Sequence, residues 1–306
     1  AALVARLALD GALTALVVDA TRATVVHLGP TTQLADELAG LPADLDVAAT
    51  DLPAPMAARI AAGLTDRLRA LDTVLFAPIA HLLDARRVVL TPAGLLGQVP
   101  WPLLPTLAGR PVTVARSATA WASAPDAAAP ARALLVAGPG LARAGTEVAA
   151  CAEHWAGATT LVGDRATVAA VARASRAVDL VHLATHGRHR AQNPLFSHVQ
   201  LADGPAYGYE LDRVRPMPSV MVLSACELGG RTASDDPLGL ATALLHAGVR
   251  TVLAAPAALS DATAEAVMPD LHARLAAGTP AWDALAAALA SHGVGAPPLV
   301  CFGAGW

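Results

Sequence analysis

Lysine is absent from this sequence: all 21 basic side chains are arginine, and against 25 acidic residues they leave a formal net charge of −4. That balance offers no basic footprint for nucleic acid. Aromatic residues make up only 3% of the chain. Alanine inflates the 55% hydrophobic fraction while burying little surface per residue, so a core has to be built from leucine and valine runs. No apolar run reaches the roughly 18 residues that span a bilayer; the segment Thr251–Leu259 is too short and contains Pro256. The N-terminus lacks a basic start followed by an apolar stretch, which argues against a secretory signal. Cysteine is scarce: Cys151, Cys226 and Cys301 are odd in number, widely spaced and free of any CxxC pair. This fits a reducing cytoplasm better than a disulfide framework, and it gives no zinc motif. A cytoplasmic protein is expected. It opens on Ala1 and not on Met, which reads as a processed chain or an excised piece with regulatory domains upstream.

The 306 residues allow one large α/β domain or two smaller ones. Residues 1–130 read as an N-terminal α/β subdomain, with strands at Leu13–Asp19 and Ala23–His27, a helix over about Pro55–Ala70, and a short strand at Val88–Thr91. The Ala/Pro-rich stretch Ser123–Ala131 is the best linker. Residues 131–306 are more regular. Apolar strands at Ala133–Ala137, Thr159–Val162, Val178–Ala184, Ser219–Ser224, Thr251–Ala255 and Leu299–Phe302 are interleaved with helical stretches, and Val199–Ala202 followed by Asp203-Gly204 reads as half a hairpin. Such alternation predicts an α/β fold with a mostly parallel sheet flanked by helices. Its functional site should lie at the carboxyl ends of the strands.

Two strand ends carry reactive side chains, Val181-His-Leu-Ala-Thr-His186-Gly187 and Val222-Leu-Ser-Ala-Cys226-Glu227. In a parallel sheet both emerge at one edge. A thiolate is the strongest side-chain nucleophile near neutral pH, imidazole can protonate a leaving amine, and backbone N–H groups can hold an oxyanion. Gly187 cannot obstruct such an approach, and the N–H of Cys226 is the natural second donor. The 40-residue spacing alone does not settle the matter: any α/β protein can place a histidine and a cysteine on successive strands, and a free cysteine is often core. Cys151 and Cys301 fall in apolar elements and read as packing residues. His182, inside the strand, reads as a structural residue supporting the site by a hydrogen bond. Gly138-Pro-Gly140 lacks the lysine and spacing of a phosphate loop.

The blocks His182-Leu-Ala-Thr-His-Gly187 and Leu223-Ser-Ala-Cys-Glu227 resemble the two signatures of the CHAT family of caspase-like, separase-related domains. Further segments agree in order: Leu90-Thr-Pro-Ala-Gly-Leu95 with Val99-Pro-Trp101, Asn193-Pro-Leu195, Tyr209-Glu-Leu211, Pro237-Leu-Gly-Leu-Ala241 and Ala247-Gly-Val249. The resemblance implies a cysteine endopeptidase of the bacterial cytoplasm with His186 and Cys226 as the dyad and Gly187 and Cys226 at the oxyanion hole. No metal or organic cofactor is required. The partner is a protein or peptide substrate, with an upstream regulatory domain or activator and no role for nucleic acid or membrane. Ser224, two before the cysteine, falls where relatives floor the pocket for the residue preceding the cleaved bond (P1). Small and neutral, it does not by itself predict a charged P1. Glu227, Asp235 and Asp236 read first as a solvated loop and second as an acidic pocket for a basic P1 residue. The family's Trp-containing "W.V.D" stretch is reduced here to Ala255-Pro-Ala-Ala-Leu-Ser-Asp261. That departure keeps open a catalytically silent, caspase-like interaction module. A hydrolase or acyltransferase acting on a small molecule is the third class.

Overall fold

A computed structural model describes residues 1–84, 87–92, 94–125, 128–188, 194–211, 214–224, 239–293 and 296–305. The chain begins with an antiparallel meander, β1 (Ala2–Leu9), β2 (Ala12–Val18) and β3 (Ala23–Pro30), followed by helices α1 (Thr31–Leu38), α2 (Leu41–Ala48) and α3 (Ala54–Leu75). Strands β4 (Val88–Thr91) and β5 (Val112–Val114) and the short helix α4 (Ala118–Ala122) complete this part. Strand β1 was not anticipated from the sequence because an arginine occupies an inward position: Ala2, Val4 and Arg6 all face the core. Arg6 is accommodated by aromatic faces. Its guanidinium lies 4.5 Å from the Phe76 ring centre and 5.0 Å from that of Trp101, and it donates to Leu75 O at 3.2 Å. Burial lowers its pKa to about 9.

The second part interleaves β6 (Ala133–Ala137), α5 (Ala144–Ala152), β7 (Thr159–Val162), α6 (Val168–Ser175) and β8 (Leu180–Ala184). After a three-stranded side sheet of β9 (Gly187–Arg188), β10 (His198–Leu201) and β11 (Gly204–Tyr207) come α7 (Gly208–Leu211), β12 (Val220–Ser224), α8 (Gly239–Ala247), β13 (Thr251–Ala254), α9 (Asp261–Ala276), α10 (Ala281–His292) and β14 (Val300–Gly303). The main sheet has the order β3-β2-β1-β4-β5-β14-β13-β12-β8-β6-β7. It is parallel apart from the N-terminal meander and the β13–β14 pair. Strand β14 therefore joins the strands of both halves of the chain into one sheet, pairing antiparallel with β13 and parallel with β5.

Strands β6, β8, β12 and β13 are buried at every position, as expected of parallel strands covered on both faces. Period-2 alternation sorts their side chains. Leu134, Val136, Val181, Leu183, Met221 and Leu223 pack on the face covered by α3, α6 and α8. Leu135, Leu180, Ala184 and Val222 pack on the face covered by α5, α9 and α10.

Asp179 levels three of these strands at their starts. Its carboxylate accepts from Ala131 N at 3.1 Å and Arg132 N at 3.0 Å, and its carbonyl accepts from Ser219 Oγ at 2.9 Å. Arg132 and these N–H groups hold its pKa below the usual carboxylate range. Since β6, β8 and β12 are each five residues long, strands that start level also end level: Ala184 pairs with Ala137 on one side and Ser224 on the other.

Candidate active site

The row Ala137–Ala184–Ser224 is the edge from which the two signature blocks leave the sheet. His186 stands two residues beyond Ala184. Its side chain is exposed, while Thr185 before it is fully buried. Three hydrogen bonds fix this turn: Thr185 N donates to Ser224 O at 3.2 Å, Gln200 N donates to His186 O at 2.8 Å, and Thr185 Oγ1 donates to the carbonyl of Gln200. The histidine is thus carried on backbone clamped between β12 and β10.

The turn after β6 completes the support. Gly138 N donates to Ala184 O at 2.8 Å, and a Cβ on Gly138 would overlap the Thr185 side chain. Gly140 has φ +83°, and a Cβ there would stand 3.2 Å from His186 Nε2. These two glycines form the bed of the histidine. The sequence signal is their position straddling a proline at a strand end, a pattern that lacks the lysine and spacing of a phosphate loop.

Gly187, half-buried, opens β9 and pairs with Val199. Ser224 is buried as the last residue of β12. Cys226, Glu227 and Asp235 lie outside the described residues. The other two cysteines are both fully buried. Burial, with a smaller contribution from Glu147, pushes the Cys151 thiol far up, and burial raises Cys301 to about 12. Neither thiol is available as a nucleophile near neutral pH, which leaves Cys226 as the candidate.

Beneath the strand ends, on the α5/α9 side, runs a buried polar chain that sequence reading found only in part. His182 Nδ1 and His272 Nε2 are 2.9 Å apart, and Trp155 Nε1 donates to His272 Nδ1 at 2.9 Å. At the other end, His182 Nε2 lies 3.0 Å from Glu147 Oε1, off the axis of an aligned hydrogen bond. Burial, then the neighbouring His182 and His154, lower the pKa of His272 well below the ordinary histidine value. The hydrogen bond expected of His182 is therefore present, and its partner comes from α9, 90 residues along the chain.

Glu147, Ser224 and Asp261 line one narrow cleft at the sheet edge. A much larger cavity of about 850 Å³, walled mainly by apolar side chains of α2, α3 and the region around α10, also touches Leu259. Among the described residues, the small cleft is where carboxylates meet Ser224, two positions before the cysteine in the sequence.

A family model described as the CHAT domain matches residues 65–292. No curated protein matches the chain. Among solved structures it is similar to the Saccharomyces cerevisiae separase–securin complex, as determined at 3.0 Å (TM-score 0.69) and at 2.6 Å (TM-score 0.68). In both, identity is 9% over 99% of this chain and 30% of the other, a likeness of fold. The chain spans about a third of the length of those chains.

Proposed function

Because the chain belongs to the CHAT family, we propose that it is a cysteine endopeptidase acting through His186 and Cys226. The observation that carries this is the level row Ala184–Ser224: His186 and Cys226 each follow it by two positions on adjacent parallel strands. In this mechanism the Cys226 thiolate attacks the carbonyl carbon of the scissile peptide. The carbonyl oxygen takes the negative charge and is held by the N–H groups of Gly187 and Cys226. Collapse breaks the C–N bond, His186 protonates the departing amine, and a thioester remains. Water, deprotonated by His186, then attacks the thioester to release the acid and restore the thiol. No step requires a metal or organic cofactor. The clamped Thr185–Gly187 turn holds imidazole and N–H in fixed relation.

Exposure of His186 suits an extended protein substrate better than an enclosed small molecule. The role we favour is regulated cleavage of one or a few protein partners in bacterial defence or programmed death, under an upstream domain or activator. The reduced stretch Ala255–Asp261 favours a second reading, a silent caspase-like interaction module.

The test is intact-mass spectrometry after treatment with peptidyl acyloxymethyl ketones of varied P1 residue. A covalent adduct on Cys226 that disappears in Cys226→Ala and slows about 100-fold or more in His186→Ala is expected. An unmodified Cys226 in the activated full-length protein, together with full biological activity of Cys226→Ala, establishes the interaction module instead.

A further inference from the structure

The outward face of the side sheet carries a cluster of rings beside the candidate active site. Arg188, His198 and Tyr207 pair across β9, β10 and β11, and residues directly opposite one another in such a ladder share a face. The other face is the buried one, with Val199, Leu201 and Ala206 in the core. The His198 ring meets that of Tyr207 at 5.0 Å between centroids, and Tyr207 stacks on Tyr209 of α7 at 5.4 Å and 15°. Phe196, just before β10, stands edge-on to both, at 6.5 Å and 76° to Tyr207 and at 5.8 Å and 61° to Tyr209. The rings therefore form an angled corner and not a flat plate. Tyr207 N donates to Glu210 Oε2 at 3.0 Å, which ties down the backbone that carries both tyrosines.

Aromatic residues are only 3% of the chain, yet both of its tyrosines and one of its three phenylalanines gather here. Phe196 is 51% and Tyr209 36% exposed. Rings with an apolar body and a polar tip, grouped at the surface, have the composition of a recognition site and not of a core. Their position bears on the ligand. Arg188 follows His186 by two positions, about 7 Å along an extended chain, and Tyr207 stands two strand spacings, about 10 Å, across from Arg188. In the peptidase mechanism the histidine protonates the leaving amine, so the chain that departs past His186 is the one following the cleaved bond. At about 3 Å per residue it meets the rings about three to five residues after that bond.

We propose that this corner binds an extended, proline-containing segment of the protein substrate, downstream of the cleaved bond, with an acidic residue ahead of the prolines meeting Arg188. The proposal rests on the peptidase reading above and names its substrate class. A polyproline segment has no internal hydrogen bonds, is already extended, and lays its rings against aromatic faces at low entropic cost. Its carbonyls accept from tyrosine hydroxyls. Arg188 is exposed and makes no ion pair among the described residues, so charge complementarity favours an acidic residue at that point.

The test uses protein isotope-labelled on the tyrosine ring, whose NMR signals come from Tyr207 and Tyr209 alone. An acetylated peptide in which Asp is followed by Pro-Pro-Ala-Pro is titrated into the Cys226→Ala protein. Peptides with Gly for every Pro, or with Asn for Asp, are the comparators. Both tyrosine signals are expected to shift. The glycine peptide should bind about tenfold or more weaker, and Phe196→Ala and Tyr209→Ala should each cost about tenfold. Arg188→Gln should cost the Asp peptide about two- to fivefold and leave the Asn peptide unchanged. A nitroxide on the peptide's N-terminus should broaden the Gly187 amide more strongly than one on its C-terminus, because the end nearer the cleaved bond lies by His186. Equal binding of the glycine peptide, undiminished binding in both ring variants, or stronger broadening from the C-terminal label overturns the proposal. So do tyrosine signals that shift with protein concentration alone, which identify a second copy as the occupant. A ketone adduct on Cys226 without any peptide-induced tyrosine shift refutes the surface and leaves the peptidase. Proline-selective binding with no adduct from any probe in the activated full-length protein refutes the peptidase, and with it the substrate role, and leaves a docking module.

Discussion

Replacing Gly140 by alanine separates backbone strain from placement of the histidine. At φ +83° an L-residue costs about 1–2 kcal/mol. The new methyl also stands 3.2 Å from His186 Nε2 and 3.4 Å from Cδ2, so the ring must give way by a few tenths of an ångström or turn about its side-chain torsions. Gly109 is the matched control. It has φ +70°, is exposed like Gly140, and has no atom within 4 Å of an added Cβ. Both variants should therefore lose about 1–2 kcal/mol in urea unfolding followed by circular dichroism. Only Gly140→Ala should slow adduct formation on Cys226, by about 10- to 100-fold, since displacement of a catalytic group by about 1 Å costs about 100-fold. Equal rates in the two variants would refute the claim that this turn is the bed of His186.

Thr185→Val keeps shape but leaves the Gln200 carbonyl without its buried donor, so about 1–3 kcal/mol of stability should be lost in urea. Because burial holds the folded-state pKa of His272 below its ordinary 6.5, the unfolded chain takes up the proton first. Stability from this group is complete above about pH 6.5 and falls below it by up to about 1.4 kcal/mol per pH unit, toward the folded-state pKa. Unfolding free energies measured between pH 7.5 and 5 check this, and His272→Phe, which removes that titration, should flatten the profile. In the native protein iodoacetamide should alkylate Cys226 and spare Cys151 and Cys301, whereas the unfolded chain should take up three adducts. Mass spectrometry of both states gives the count.

The second half of the fold was legible in the sequence because apolar strands of a covered parallel sheet announce themselves as continuous Val/Leu runs. Ala133–Ala137 was read to the residue, and Thr159–Val162 likewise. Strand β1 was hidden because Arg6 breaks the inward alternation, and only the aromatic faces of Phe76 and Trp101, distant in sequence, make that position tolerable. Helices α1 and α2, short and without side-chain caps, gave no usable signal either.

The sequence by itself named the candidates for the chemistry, His186, Gly187 and Cys226. Thiol, imidazole and glycine follow apolar, strand-like runs, and the composition carries no excess of basic side chains. Tertiary structure alone decided what surrounds them. Register set by Asp179 levels β8 with β12, Gly138 and Gly140 come from a different strand end to seat the histidine, and His272 reaches His182 from 90 residues away. Local propensity acts over a few residues, whereas Glu147, His182 and His272 meet in one buried row only through packing between α5, β8 and α9. No sequence window contains all three.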